Sequence, residues 1–121
     1  MKTKIVIVDD NANNLLLEED LLLMANFEVF TAMNARDALL TIKRETPKII
    51  ILDVQLPDMS GTEVARILRD EKETADIPIV FVTASVLPAD IDQLLCIPNS
   101  AYISKPIDTR TFAQQISLYI K

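Results

Sequence analysis

The chain has no histidine and no tryptophan, and only one cysteine and one glycine in 121 residues. Each shortage removes a class of chemistry. Without histidine there is no Ser-His-Asp or Cys-His arrangement and no histidine-ligated zinc. Nor can the chain carry a phosphohistidine of its own. A lone Cys96 closes no intramolecular disulfide and builds no zinc cluster, which fits a reducing compartment. One glycine, Gly61, makes no glycine-rich phosphate loop, which argues against a bound nucleotide. No apolar stretch approaches the roughly 18 residues of a membrane span. Met1-Lys2-Thr3-Lys4 leads into a strand-like run with no secretory signal, so the cytoplasm is the expected location.

Basic residues are also in short supply. Twelve Lys and Arg face eighteen Asp and Glu, a net charge of −6. That argues against a nucleic-acid binder working through a basic surface and suits a protein that binds a cation. Half the residues are apolar, enough for a real core. The length suits one domain, expected over residues 1–121 with no output domain beside it.

What the chain does have is alternation. Ile5-Val6-Ile7-Val8, Ile49-Ile50-Ile51-Leu52 and Ile79-Val80-Phe81-Val82 are continuous apolar runs. Such runs read as strands buried on both faces of a parallel sheet. Weaker strands fit at Glu28–Thr31 and Ala101–Ser104. Helices fill the gaps: a Leu-rich one over Asn13–Asn26 with Asn13 or Asn11 as cap, then Asn34–Glu45, Ser60–Asp70, Ala89–Cys96 and Asp108–Ile120. Ser60 and Glu63 form a capping-box pattern. Phe112, Ile116 and Tyr119 or Ile120 share a face of the last helix. Cys96 and the four Met read as packing residues. The first helix carries more leucine than one buried face needs, so it either meets a partner helix or packs on two sides.

Five βα pairs predict a flavodoxin-like doubly wound α/β domain with a five-stranded parallel sheet in order 2-1-3-4-5. Its site falls at the carboxyl ends of strands 1 and 3, where the strand order reverses. Asp9-Asp10, Asp53, Thr83-Ala84 and Lys105-Pro106 follow four of the runs and would meet there. Three carboxylates in one crevice repel one another or recruit a cation. An all-oxygen donor set favours Mg²⁺. Lys105 supplies a second cation for a phosphoryl oxygen, and Thr83 a hydroxyl donor. Asp53, flanked by strands 1 and 4, is the candidate nucleophile for an acyl phosphate, and the Asp9-Asp10 pair is suited to metal.

Asp9-Asp10-Asn11, the run Leu52-Asp53-Val54-Gln55-Leu56-Pro57-Asp58-Met59-Ser60-Gly61, Val82-Thr83-Ala84 and Tyr102-Ile103-Ser104-Lys105-Pro106 together resemble the receiver domain of two-component response regulators. The likeness covers essentially the whole chain, with 44 residues from Asp9 to Asp53, 30 from Asp53 to Thr83 and 22 from Thr83 to Lys105. It implies that Asp53 accepts a phosphoryl group from a histidine kinase or histidine phosphotransfer protein. It implies Mg²⁺ on Asp10, Asp53 and the Gln55 backbone carbonyl, with Asp9 acting through a water. Thr83 and Tyr102 become switch residues that relay the change to a downstream protein, and Lys105-Pro106 a cis peptide bond. Gln55 and Ser85 would sit at the site mouth. Glycines usual in the family before strand 5 and after strand 2 are replaced here by Pro98-Asn99-Ser100 and Asn34-Ala35, and Asn99 can take the left-handed conformation. Two alternatives stay open: a receiver cut from a hybrid histidine kinase or multidomain regulator, and a Mg²⁺-dependent aspartyl-phosphate phosphatase. Against the second, Gln55 stands where such enzymes carry an acid.

Overall fold

The three continuous runs become the three central strands of a computed structural model that describes residues 2–84 and 87–120. Strand β1 is Lys4–Val8, β2 Glu28–Ala32, β3 Ile49–Asp53, β4 Ile79–Thr83 and β5 Ser100–Ser104. Between and after them lie helices α1 (Ala12–Met24), α2 (Ala35–Glu45), α3 (Gly61–Asp70), α4 (Pro88–Leu95) and α5 (Phe112–Tyr119). All strand pairs are parallel, in order β2-β1-β3-β4-β5 as expected.

The strands are apolar throughout because their side chains feed two cores. Val6, Val8, Ile50, Leu52, Ile79 and Phe81 point to one face, against Ala38 and Ile42 of α2, Val64 and Leu68 of α3 and Leu94 of α4. The alternate residues Ile5, Ile7, Ile49, Ile51, Val80 and Val82 point to the other, against Leu15 and Leu22 of α1 and Phe112 and Ile116 of α5. A period-two pattern with both phases filled is what a sheet sandwiched between helices demands. Each such side chain contributes roughly 1.5–3 kcal/mol by leaving water.

Local chemistry sets the helix starts. The Asn11 side chain accepts the N–H of Asn14, Asn34 that of Asp37, and Ser60 that of Glu63. The first helix is therefore capped by Asn11 rather than Asn13. Asn99 takes the left-handed conformation at φ 57°, and so do Asn26 and Thr46.

Two expectations need correction. The last helix begins at Phe112, not Asp108, because Asp108 folds the chain into a turn first. Its carboxylate accepts the Arg110 N–H at 3.0 Å, and its carbonyl accepts the Phe112 N–H at 2.9 Å. Of the two candidates at its end, Ile120, the residue after the helix, packs against the core, while Tyr119 is exposed. Cys96, Met24 and Met33 are exposed rather than packed. Cys96 caps the end of α4, and Met24 closes the last turn of α1, both turned from the core.

Candidate functional site

Parallel strands all deliver their last residues to one edge of the sheet. Asp53 is the last residue of β3, and Thr83 the last of β4. Asp9-Asp10 follows β1 and Lys105 follows β5. These ends border a crevice of about 510 Å³, where Asp10, Asp53, Gln55, Thr83, Ala84 and Lys105 all reach the wall. It lies at the β1/β3 position where the strand order reverses, as the fold rule requires.

The polar contacts are specific. Asp53 Oδ1 accepts the Gln55 N–H at 3.2 Å, and Oδ2 accepts Lys105 Nζ at 3.1 Å. Lys105 Nζ also lies 3.6 Å from Asp9 Oδ2. The Lys105 N–H is held by the Thr83 carbonyl at 2.8 Å, so the ends of β4 and β5 jointly aim the amine. The Lys105-Pro106 bond is cis, as expected. Asp9 is buried, with its N–H on Ala32 and its Oδ1 accepting the Asn11 N–H at 2.9 Å.

Burial pushes the Asp9 carboxyl up from its ordinary value. The Asn11 N–H pulls it back, and the Asp53 charge adds to the rise. Burial alone would pull the Lys105 amine down. The hydrogen bond it donates to Asp53 and the charges of Asp53, Asp9 and Glu18 outweigh it, so the amine is raised.

One oxygen each from Asp9, Asp10 and Asp53 lies within 4.8 Å of the others. An all-oxygen trio at that separation fits a hard divalent cation. Asp10 is exposed while the other two are buried, so the cluster has a wet side.

The loop after Asp53 is closed on itself. Gln55 bridges back to Ser60, and the Gly61 N–H bonds the Val54 carbonyl at 2.6 Å. A Cβ on Gly61 would stand 2.4 Å from the Asp53 carbonyl oxygen and 2.9 Å from Val54 Cα, so only glycine fits.

Tyr102 sits mid-strand in β5, opposite Phe81 and 38% exposed, turned outward rather than into the crevice. Gln55 is exposed on the crevice wall. Ser85 lies outside the described residues. Leu15 and Leu22 of α1 are buried, but Leu16, Leu17 and Leu23 are exposed, so the helix does not pack on all sides.

Two residues went unread in the sequence. Asp58 reaches from the β3–α3 loop to accept the Ala35 and Arg36 N–H groups at 2.8 and 3.1 Å, a second cap for α2. Glu18 is buried on α1. Its spacing from Leu15 and Leu22, three and four residues away, was the available signal.

Carboxylates and an amine gathered at the switch point of a (βα)₅ sheet define a phospho-accepting signalling switch. The chain belongs to the response regulator receiver domain family, whose model matches residues 5–117. It is 35% identical over 120 residues to the polar-differentiation response regulator DivK of Brucella anthropi, covering 99% of this chain and 98% of that one. Among solved structures it is similar to the chemotaxis response regulator CheY4 of Vibrio cholerae. There the TM-score is 0.93 at 24% identity, over 99% of this chain and 100% of that one, a likeness of fold. A CheY-like receiver domain protein from Methanospirillum hungatei matches with TM-score 0.88 at 27% identity, over 98% of this chain and 93% of the other. A receiver domain is a regulatory domain that works with a kinase or phosphotransfer partner. Among the described residues no helix is long and apolar enough to cross a membrane.

Proposed function

We propose that Asp53 is the phosphoryl acceptor, taking the group from a phosphohistidine on a histidine kinase or a histidine phosphotransfer protein. The observation that carries this reading is the Lys105 amine, 3.1 Å from Asp53 and 3.6 Å from Asp9, at the mouth of an open crevice. An Asp53 carboxylate oxygen attacks phosphorus in line. A P–O bond forms, the donor's P–N bond breaks, and the imidazole nitrogen keeps the electron pair and takes up a proton. Lys105 then pairs with a phosphoryl oxygen instead of the free carboxylate. Asp10, Asp53 and the Gln55 carbonyl are the groups that would hold Mg²⁺, with Asp9 acting through a water. The ion, when bound, neutralises charge around the phosphoryl oxygens.

Thr83 and Tyr102 are the switch pair of this reading. Thr83 lies at the crevice and Tyr102 two strand positions before Ser104, its own cross-strand partner. A turn of the Thr83 hydroxyl toward the phosphoryl group draws Tyr102 inward and alters the surface that a downstream protein reads. Residues 1–121 act as one receiver domain in the cytoplasm through protein–protein contact. Gln55, an amide two residues after Asp53, supports a regulatory domain over a phosphatase, which needs an acid there.

The test is intact mass after incubation with acetyl phosphate, with and without Mg²⁺, on wild type and Asp53→Asn. One added phosphoryl group that requires both Mg²⁺ and Asp53 is expected. An adduct that persists in Asp53→Asn, or none in the folded wild type with Mg²⁺ and a cognate donor, overturns the reading.

A further inference from the structure

Among the described residues α4 has one buried side chain, Leu94, fewer than any other helix. It borders the acceptor crevice through Asp90, Gln93 and Leu94. Its far end is held by a residue of another helix. Arg69, in the last turn of α3, reaches across to the turn between α4 and β5. Its Nε donates to the Pro98 carbonyl at 2.7 Å and its Nη2 to the Asn99 carbonyl at 3.1 Å. Its Nη1 donates to the Thr74 carbonyl, between α3 and β4, at 3.2 Å. Asn99 adds links of its own. Its side-chain amide donates to the Asp76 carbonyl at 2.9 Å, and its carbonyl also accepts the Ile79 N–H at 3.1 Å. The Ser100 hydroxyl lies 2.6 Å from the Ile97 carbonyl and 3.0 Å from that of Leu94, which ties the last turn of α4 to the first residue of β5.

We propose that Arg69 is a pin. It fastens the last turn of α4 and the head of β5 to α3, so that a change at Asp53 pivots α4 about that end and leaves the start of β5 in place. Three observations support it. A basic residue in a last turn ordinarily answers the carbonyls of its own helix. Arg69 hydrogen-bonds none of those among the described residues, and its three acceptors all lie outside α3. A planar guanidinium that meets three carbonyls at once fixes direction as well as distance, which a single ammonium does not. With Leu94 as its one buried residue, α4 has little core packing to set its angle, so the hydrogen bonds at its end weigh more. The pivot rests on the reading of Asp53 as acceptor; the pin itself does not.

The test uses the full chain as wild type, Arg69→Gln and Arg69→Lys, and has two arms. Without phosphodonor, backbone amide hydrogen exchange is followed by ¹H–¹⁵N spectra. Arg69→Gln should speed exchange at Ile79, Cys96 and Ile97 by about tenfold or more, with Leu22 and Ile42 unchanged. Arg69→Lys, which keeps the charge and loses the fork, should recover little of it. The proposal is overturned if exchange is unchanged in Arg69→Gln, if it rises equally at Leu22 and Ile42, or if Arg69→Lys restores it. In the second arm, acetyl phosphate and Mg²⁺ are added and the adduct is verified by intact mass. Wild-type amide shifts should be large at Asp90 and Gln93 and small at Asn99 and Ser100, and in Arg69→Gln they should spread to Asn99 and Ser100. Equal shifts at both ends of α4 in the wild type, or no spread in Arg69→Gln, overturn the pivot. Absence of an adduct in the wild type counts against the acceptor reading, and the exchange arm then decides the pin.

Discussion

Asp53 and Glu18 are both acids withheld from water, at 7% and 3% exposure, and they differ in what bonds them. Asp53 ends a strand, receives a backbone N–H and an amine, and faces an open crevice. Glu18 sits on the buried stripe of a helix among mostly apolar neighbours, with no hydrogen bond among the described residues. Burial by itself makes an acid expensive; burial with matched partners makes it a site. Chain geometry explains the contrast. A parallel sheet sends several strand ends to one place, so the Lys105 amine after β5 reaches Asp53 at the end of β3. A single helix position has no such supply.

The strongest way to break the comparison is to remove the partner from Asp53. Lys105→Met keeps the aliphatic stem and deletes the charge. Phosphoryl acceptance from acetyl phosphate should slow by about two orders of magnitude, the usual loss when a preorganised charge is taken from a transition state. The time course of the intact-mass adduct reads it directly. A rate within twofold of wild type would mean that Asp53 does not depend on its neighbour.

Next comes the backbone that carries Asp53. Gly61→Ala places a methyl group 2.4 Å from the Asp53 carbonyl oxygen. The loop must shift, at an expected cost of about 2–3 kcal/mol in urea unfolding. Since the shift acts on Asp53 itself, acceptance should fall in the same variant. Lost stability with unchanged acceptance would separate the loop from the site.

For Glu18 the expectation has the opposite sign. Its carboxyl is raised from 4.5 to about 8 in the folded protein, chiefly by burial. Between those values the folded state holds a proton that the unfolded chain has released. Stability present below pH 4.5 is therefore lost as pH rises toward 8. Glu18→Gln cannot lose that proton. It should match wild type near pH 4 and exceed it by about 1–2 kcal/mol at pH 8, less than the full linkage because a buried amide also wants partners. Urea midpoints across that range check it. A constant offset between the two proteins would show that Glu18 is not the group responsible.

These three residues also mark how far the sequence could be read. β1, β3 and β4 were legible because a strand buried on both faces needs an unbroken apolar run. Once they are placed, topology brings Asp9, Asp10, Asp53 and Thr83 together, and the weaker β5 run adds Lys105. Glu18 was legible only in principle. Its position in the leucine stripe of α1 follows from helical spacing, but a glutamate invites the solvent-facing reading. The start of α5 was hidden by Asp108, whose carboxylate competes with the helix for backbone donors. Gly61 looks in sequence like an ordinary first residue of a capped helix. Its necessity comes from the return of the 55–60 loop onto Asp53, a contact that local pattern does not encode.

The smallest effect belongs to a third carboxylate, which sharpens the contrast by lying near the crevice in sequence and outside it in space. Asp58 is five residues from Asp53, yet it turns away to cap α2. The Ala35 N–H, and behind it the Arg36 N–H, hold its carboxyl below the ordinary 3.8, against the opposing pull of burial. A depressed value contributes stability that is present above pH 3.8 and lost as pH falls through the folded value. Asp58→Asn should therefore lower the urea midpoint slightly at neutral pH and converge with wild type in acid, the reverse of Glu18→Gln. Phosphoryl acceptance should not change, because no atom of Asp58 borders the crevice. A slowed mass adduct in this variant would join the α2 cap to the acceptor site. An unchanged one would leave Asp53 distinguished from both other acids by its partners rather than by its place in the chain.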